Sequence, residues 1–297
     1  MVGHNVRKTL LTTVATCAMV MGVGIGSANA FGIEDAWNLN FSVINGANPH
    51  GWVGLTDMTS MDHVVLDGES TVTQTVVGFN PLGQSFSDSG YLNLIGNNPE
   101  GGGGFDPALL HLNPVANGFG MNVFFEFTAL AGTLKFDETI AFTPGSGTIK
   151  LWIEDDADSS SSTGDVLELA EFMIIAPSGG SDLDFFGGGG QNATIDITLM
   201  QTSGIAGLYT DMNGFEFAMN DPEVQHLGNM DALLDPNLNP NPDNTGIDPM
   251  GNGVSLITVQ NAGQYNIKTI PEASSMAAFG FGLLGLMGMA RRRRQTA

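Results

Sequence analysis

An all-β fold built from antiparallel strands, of the β-sandwich or jelly-roll kind, is what this sequence predicts. Three observations carry the expectation. Short β-branched or alternating runs recur along the middle of the chain, clusters of Gly, Pro, Asn, Asp and Ser separate them, and helical periodicity is scarce away from the two termini. Val123, Phe125 and Phe127 alternate with Phe124, Glu126 and Thr128, and Ile195, Ile197 and Leu199 alternate with Thr194, Asp196 and Thr198. Such a period of two puts one set of side chains in a core and the other in water. No strand–helix–strand spacing is present, which argues against an α/β enzyme fold.

The elements divide the 297 residues into three parts. Residues 1–30 have the organisation of a secretory signal peptide: Arg7 and Lys8, an apolar stretch from Leu10 to about Val23, and Ala28 and Ala30 as the small residues before the expected cleavage at Phe31. Signal peptidase and the Sec translocon are the partners this segment implies. Cys17, the single cysteine, lies inside it. The mature chain would then carry no thiol, which excludes disulfides, cysteine-bound zinc and thiol nucleophiles together.

Residues 31–270 hold the expected strands: Trp37 to Ile44, Thr71 to Phe79, Tyr91 to Ile95, Met121 to Leu130, Glu138 to Phe142, Thr148 to Glu154, Leu167 to Ile175, Ala193 to Gln201, Gly214 to Met219, Val254 to Gln260 and Gln264 to Ile270. Asn261, Ala262 and Gly263 suit a tight hairpin between the last two. Low-complexity stretches at Asn97 to Gly104, Ser178 to Gly190 and Asp235 to Gly253 read as surface loops or a linker. This body holds 30 acidic residues against three lysines, a balance of −27. Nucleic-acid binding rests on Lys and Arg neutralising phosphates, so that class is excluded.

The last part, 271–297, begins with Pro271, Glu272 and Ala273. An uncharged apolar run from Met276 to Ala290 follows, and then Arg291, Arg292, Arg293 and Arg294. As a helix the run rises about 25 Å, at the short end of what spans a hydrocarbon core. Arginines directly after a span hold that end in the cytoplasm. A single C-terminal transmembrane helix in the inner membrane, with the acidic body outside, is the expected topology.

This tail resembles the PEP-CTERM sorting signal of exported bacterial proteins handled by an exosortase. The resemblance implies that Pro271 and Glu272 are recognition residues and that Arg291 to Arg294 form a retention block. It further implies translocation, transient membrane anchoring, cleavage near the motif and release to the cell surface or an exopolysaccharide matrix. Ala273 stands where the motif has its second proline. The order of motifs in the middle of the chain is similar to that in flocculation-associated PEP-CTERM proteins: Phe124 to Phe127, Gly145 to Trp152 leading into Asp155 to Asp158, then Gly164 to Ala170. That similarity implies a non-enzymatic role in holding cells together through secreted polysaccharide.

The chemistry legible in the body is mostly oxygen. Asp155, Asp156, Asp158 and Asp165, with Ser159 to Ser162 and Thr163 among them, concentrate carboxylates and hydroxyls between two expected strands. Hard cations such as calcium take six to eight oxygen ligands, so this loop reads either as a solvated acidic loop or as a calcium site. The run of Asp235, Asn237, Asn239, Asn241 and Asp243 reads as a coil or as a second such site. His50, His63, His111 and His226 are scattered singly and read as loop or surface residues. No motif with nucleophile-elbow or metal-binding spacing is present. Trp37, Trp52, Trp152, Tyr91 and Tyr209 serve as core residues or, where exposed, as sugar platforms.

The function expected from these features is an exported structural or adhesive protein of the surface or matrix, associated with exopolysaccharide, biofilm or floc formation. A calcium-dependent carbohydrate-binding module is the alternative, and a secreted glycan hydrolase comes third.

Overall fold

The computed structural model describes residues 36–45, 48–52, 54, 55, 57–99, 121–155, 166–181, 191–221, 223–234 and 247–269. They belong to one compact unit, Glu34–Thr269. The expected leader, the Met276 to Ala290 span, the arginine block and the side chains of the acidic loop lie outside the described residues.

Eleven strands are described: β1 (Trp37–Leu39), β2 (Met58–Val76), β3 (Gln84–Pro99), β4 (Met121–Leu134), β5 (Ile140–Phe142), β6 (Thr148–Asp155), β7 (Val166–Ser181), β8 (Gln191–Gly204), β9 (Tyr209–Asp211), β10 (Val224–Leu234) and β11 (Gly253–Thr269). All their pairings are antiparallel, as the sequence indicated. The pairing order runs β2–β3–β4–β6–β7–β8–β10–β11 and returns to β2 through a long ladder from Gly253↔Val76 to Tyr265↔Val64. Strands β5 and β6 share one lane between β4 and β7, as a single strand interrupted at 143–147. The sheet is therefore a closed up-and-down barrel of eight lanes. Where a sandwich or jelly roll keeps two facing sheets, one continuous sheet here curls until its first and last long strands meet, which leaves no free edge on either of them.

Parity along the strands decides what is inside. On β4, Val123, Phe125 and Phe127 are buried; after a shift at Ala129, which has φ +55°, Leu130 and Leu134 are buried instead. Ile149, Leu151 and Ile153 of β6 face the same interior, as do Ile195, Ile197 and Leu199 of β8 and Val259, Tyr265 and Ile267 of β11. The outer wall carries Asp67, Glu69, Glu126, Asp196 and Asp231, all exposed. This polarity is the reverse of a membrane-spanning barrel, whose apolar side chains face out. On the outer wall Lys150 Nζ donates to Glu168 Oε2 at 2.7 Å and lies 5.4 Å from the centre of the Trp152 ring, while Trp152 Nε1 donates to Glu126.

One end of the barrel is plugged. Strand β1 is followed by a 3₁₀ turn at Phe41–Ile44, so the Trp37 to Ile44 run is only partly a strand. β1 pairs with the start of β2 and with β9, and Asn40 ties it to the connection after β8 through bonds to the Leu208 and Gly207 carbonyls. Trp37, Leu39, Phe41, Leu208 and Tyr209 are buried there. Gly214 to Met219, expected as a strand, contributes only an isolated bridge between Thr210 and Glu216.

Two glycine positions show how the curl is achieved. The expected hairpin at Asn261 to Gly263 is instead the middle of the continuous strand β11. Asn261 points inward and donates to Ser70 Oγ at 3.0 Å, and a Cβ on Gly263 would sit 2.3 Å from the Asn229 carbonyl oxygen. Gly68, opposite Leu92, is tighter, with a virtual Cβ 2.0 Å from the Tyr91 carbonyl oxygen. Gly228 on β10 differs: its virtual Cβ meets nothing closer than 4.0 Å. Gly68→Ala should cost about 2 kcal/mol or more, because backbone must move. Gly228→Ala should be neutral or stabilise by up to about 1 kcal/mol through the unfolded state. Urea unfolding of the two variants checks this; equal destabilisation of both would show that contact distance does not govern these sites.

Candidate functional site

The interior is not filled evenly. Two adjoining chambers lie in the lumen, offering about 40 Å³ and 80 Å³ to the centres of water-sized molecules. The first, nearer the plug, is walled mainly by apolar side chains, Phe125, Ile197 and Met230 among them. The second lies toward the other end and includes Val72, Leu134, Ile140 and Ile257. Asp88, Phe142, Ile195 and Asn261 border both.

Asp88 is the lone carboxylate among the residues that wall these chambers. It reaches the lumen by parity: on β3 the even positions Phe86, Leu92 and Leu94 are buried, and Asp88 stands in that row opposite Val72 and Leu130. The residue as a whole keeps some exposure, yet its Oδ1 is buried and has no hydrogen-bond partner. Burial pushes the Asp88 carboxyl up to about 7, against weaker opposing help from the Ser70 hydroxyl and the Ser89 backbone. Ser70 accepts from Asn261 Nδ2, which leaves its own hydroxyl proton to donate to Asp88.

Beneath the first chamber sits an aromatic cluster. Phe172, Tyr209, His226 and Tyr265 pack with ring centres 5.0 to 6.5 Å apart, and Trp37 lies 5.7 Å from Tyr265, edge on. His226 Nδ1 is bonded to the Tyr265 hydroxyl, and burial pushes the imidazole down to about 3. His226 is thus a neutral core group, not the loop or surface residue its isolation in the sequence suggested. Burial raises both tyrosines above their ordinary value. The Tyr209 hydroxyl feels Tyr265 electrostatically but reaches no partner at hydrogen-bonding geometry.

Most residues singled out from the sequence fall elsewhere. Asp155 ends β6 and Val166 begins β7, so the acidic segment joins two barrel strands at the plugged end. Asp156, Asp158, Asp165 and the side chain of Asp155 lie outside the described residues, as do Asp235, Asn237, Asn239, Asn241, Asp243 and His111. So do Ala28, Ala30, Pro271, Glu272, Arg291, Arg292, Arg293 and Arg294. Among the described residues no group of three or more His, Asp or Glu side chains gathers for a metal ion. His50 stacks on Trp52 and His63 pairs with Asp62. Trp37, Trp52 and Tyr209 are core residues, whereas Tyr91 is 47% exposed on the outer wall.

Asp88 and His226 oppose one another in their effect on stability with pH. The Asp88 carboxyl is raised from 3.8, so its contribution is complete at low pH and is lost as pH rises through about 7. The imidazole is lowered from 6.5, so its contribution is complete above 6.5 and is lost as pH falls toward 3. Asp88→Asn removes only the first. The stability of this variant relative to the wild type should rise by a few kcal/mol between pH 4 and pH 8, with the gain concentrated below pH 7. Urea unfolding at four pH values measures the difference; a constant offset would place the Asp88 carboxyl in water.

Comparison with known proteins bears on the tail. No curated protein and no solved structure matches the chain. The family model described as the PEP-CTERM protein-sorting motif matches residues 269–294, the stretch that holds Pro271, Glu272, the apolar run and the arginine block. The chain thus carries a PEP-CTERM protein-sorting motif, and with it the address of an exported protein sorted by an exosortase.

Proposed function

We propose that this protein is a non-catalytic component of the cell surface or extracellular matrix, delivered by exosortase processing and acting in exopolysaccharide-dependent cohesion of cells. The observation that carries the reading is the sorting motif at 269–294. The order of events follows from physical chemistry. An apolar run ending in four arginines cannot pull those guanidinium groups through a hydrocarbon core, so the tail stays in the membrane while the body is outside. Cleavage near Pro271 and Glu272 would then free a unit that ends close to Thr269, the last residue of β11.

The barrel suits such a life. Its long strands close on one another, so neither β2 nor β11 offers an edge to neighbouring copies at high local concentration. Its exposed carboxylates keep like molecules apart in dilute salt and favour water over anionic headgroups. A hydrated matrix of neutral or cation-bridged polysaccharide is compatible with that surface.

Processing is tested by mass spectrometry of the protein from cells with and without their exosortase. A C-terminus near residue 271 in the first strain and an intact arginine tail in the second are expected. Replacing Arg291 to Arg294 together by Ala should reduce membrane retention and the yield of processed protein several-fold. An intact tail in both strains would overturn the sorting reading. Floc and biofilm mass that does not change on deletion of the gene would overturn the cohesive role alone.

A further inference from the structure

We infer that the barrel lumen between Asp88 and Gly228 is a binding site for a small apolar molecule carrying one hydrogen-bond donor, an alcohol of single-ring size being the type. The inference does not depend on the tail or on the role proposed above.

Three independent observations converge on it. The first is room: the two chambers adjoin at Asp88, Phe142, Ile195 and Asn261, and their walls are otherwise almost wholly aliphatic and aromatic. An apolar cavity of about 150 Å³ holds benzene, so a single-ring guest must draw on both chambers together. The second is an orphan acceptor. Asp88 Oδ1 is buried and unpartnered, and leaving such a group unsatisfied is costly, so a donor brought by a ligand recovers free energy that a hydrocarbon cannot. Ser70 Oγ accepts from Asn261 Nδ2, which leaves the Ser70 hydroxyl proton for Asp88, and at pH 8, where the carboxyl has lost its proton, Oδ1 is an acceptor.

The third observation is Gly228. A glycine in a strand interior weakens the strand and usually answers to a bulge, a bend or a close approach. Gly68, Gly90, Gly132 and Gly263 answer to close approach, with virtual Cβ atoms 2.0 to 2.3 Å from a neighbour. Gly228 does not. It pairs with Ile197 and Tyr265, both inward-facing, and it walls the first chamber, where a Cβ would rest in ordinary van der Waals contact with Ile197, 4.0 Å away, and displace no neighbour. The missing side chain makes part of the chamber. Its neighbour Met230, two positions on, walls the same chamber and supplies an adaptable thioether surface.

The full chain, held in lipid nanodiscs and labelled with ¹³C at the methionine methyls, tests this, with each half-saturation expressed as the free aqueous concentration of the probe measured by equilibrium dialysis. At pH 8, benzyl alcohol should move the Met230 methyl signal saturably, with half-saturation at least several-fold lower than for toluene. In Asp88→Leu the alcohol should lose about tenfold and its advantage over toluene should vanish. Gly228→Phe, which fills the first chamber and leaves the Asp88 carboxyl in the sequence, should abolish the shift for both probes while the remaining methionine signals keep their folded positions. Toluene binding as tightly as the alcohol, or an alcohol response unchanged in Asp88→Leu, would overturn the role of the carboxyl and with it the inference. A Met230 signal that does not move at millimolar alcohol, or that moves equally in Gly228→Phe, would overturn the site.

Discussion

The ladder between β11 and β2 is the contact on which the remainder of the structure rests. Without it the strands form an open meander with two hydrogen-bonding edges and an apolar face that must find another sheet. With it, the same strands enclose their own core. Closing so small a ring forces neighbouring backbones together, and Gly68, Gly90, Gly132 and Gly263 stand where a Cβ would collide with the adjacent strand. Composition and topology are therefore linked: part of the glycine content is the steric condition for curvature, not loop filler.

Closure also creates an inside, and the inside is chemically uneven. Its plugged end is a dense aromatic cluster around Tyr265 and His226, where burial keeps the imidazole neutral. Its middle is looser, with the Asp88 carboxyl among apolar neighbours and Gly228 on the wall. A carboxyl in that position favours its proton up to about neutrality, whereas the imidazole in the aromatic cluster resists one. Two groups whose environments push their titrations in opposite directions leave the barrel with a flatter response to mild acid than either alone would give. That property suits an exported protein exposed to the pH of its surroundings.

Barrel and address answer to different chemistry. The sorting motif occupies a short segment beyond the last strand and needs only an apolar run and a basic stop to work. The barrel needs only a polar outer wall and a packed interior. Each could be read in its own terms, because one is decided by partition between water and lipid and the other by partition between water and core.

Much of this was legible in the linear chain. Alternation on β4 and β8, the turn residues between runs and the arginine block at 291–294 determined an exported all-β body with a membrane-held tail, since period, propensity and hydropathy are local quantities. Even the orphan carboxyl left a trace: Phe86, Asp88, Leu92 and Leu94 share parity on β3, so Asp88 could have been placed on the buried face. What only the tertiary structure decided was which strands meet across the ring, that Asn261 to Gly263 continues a strand instead of turning, that His226 lies among rings, and that Gly228 walls a chamber. Each depends on residues far apart in sequence being brought within a few ångströms, and a local pattern holds no record of what stands on the opposite wall.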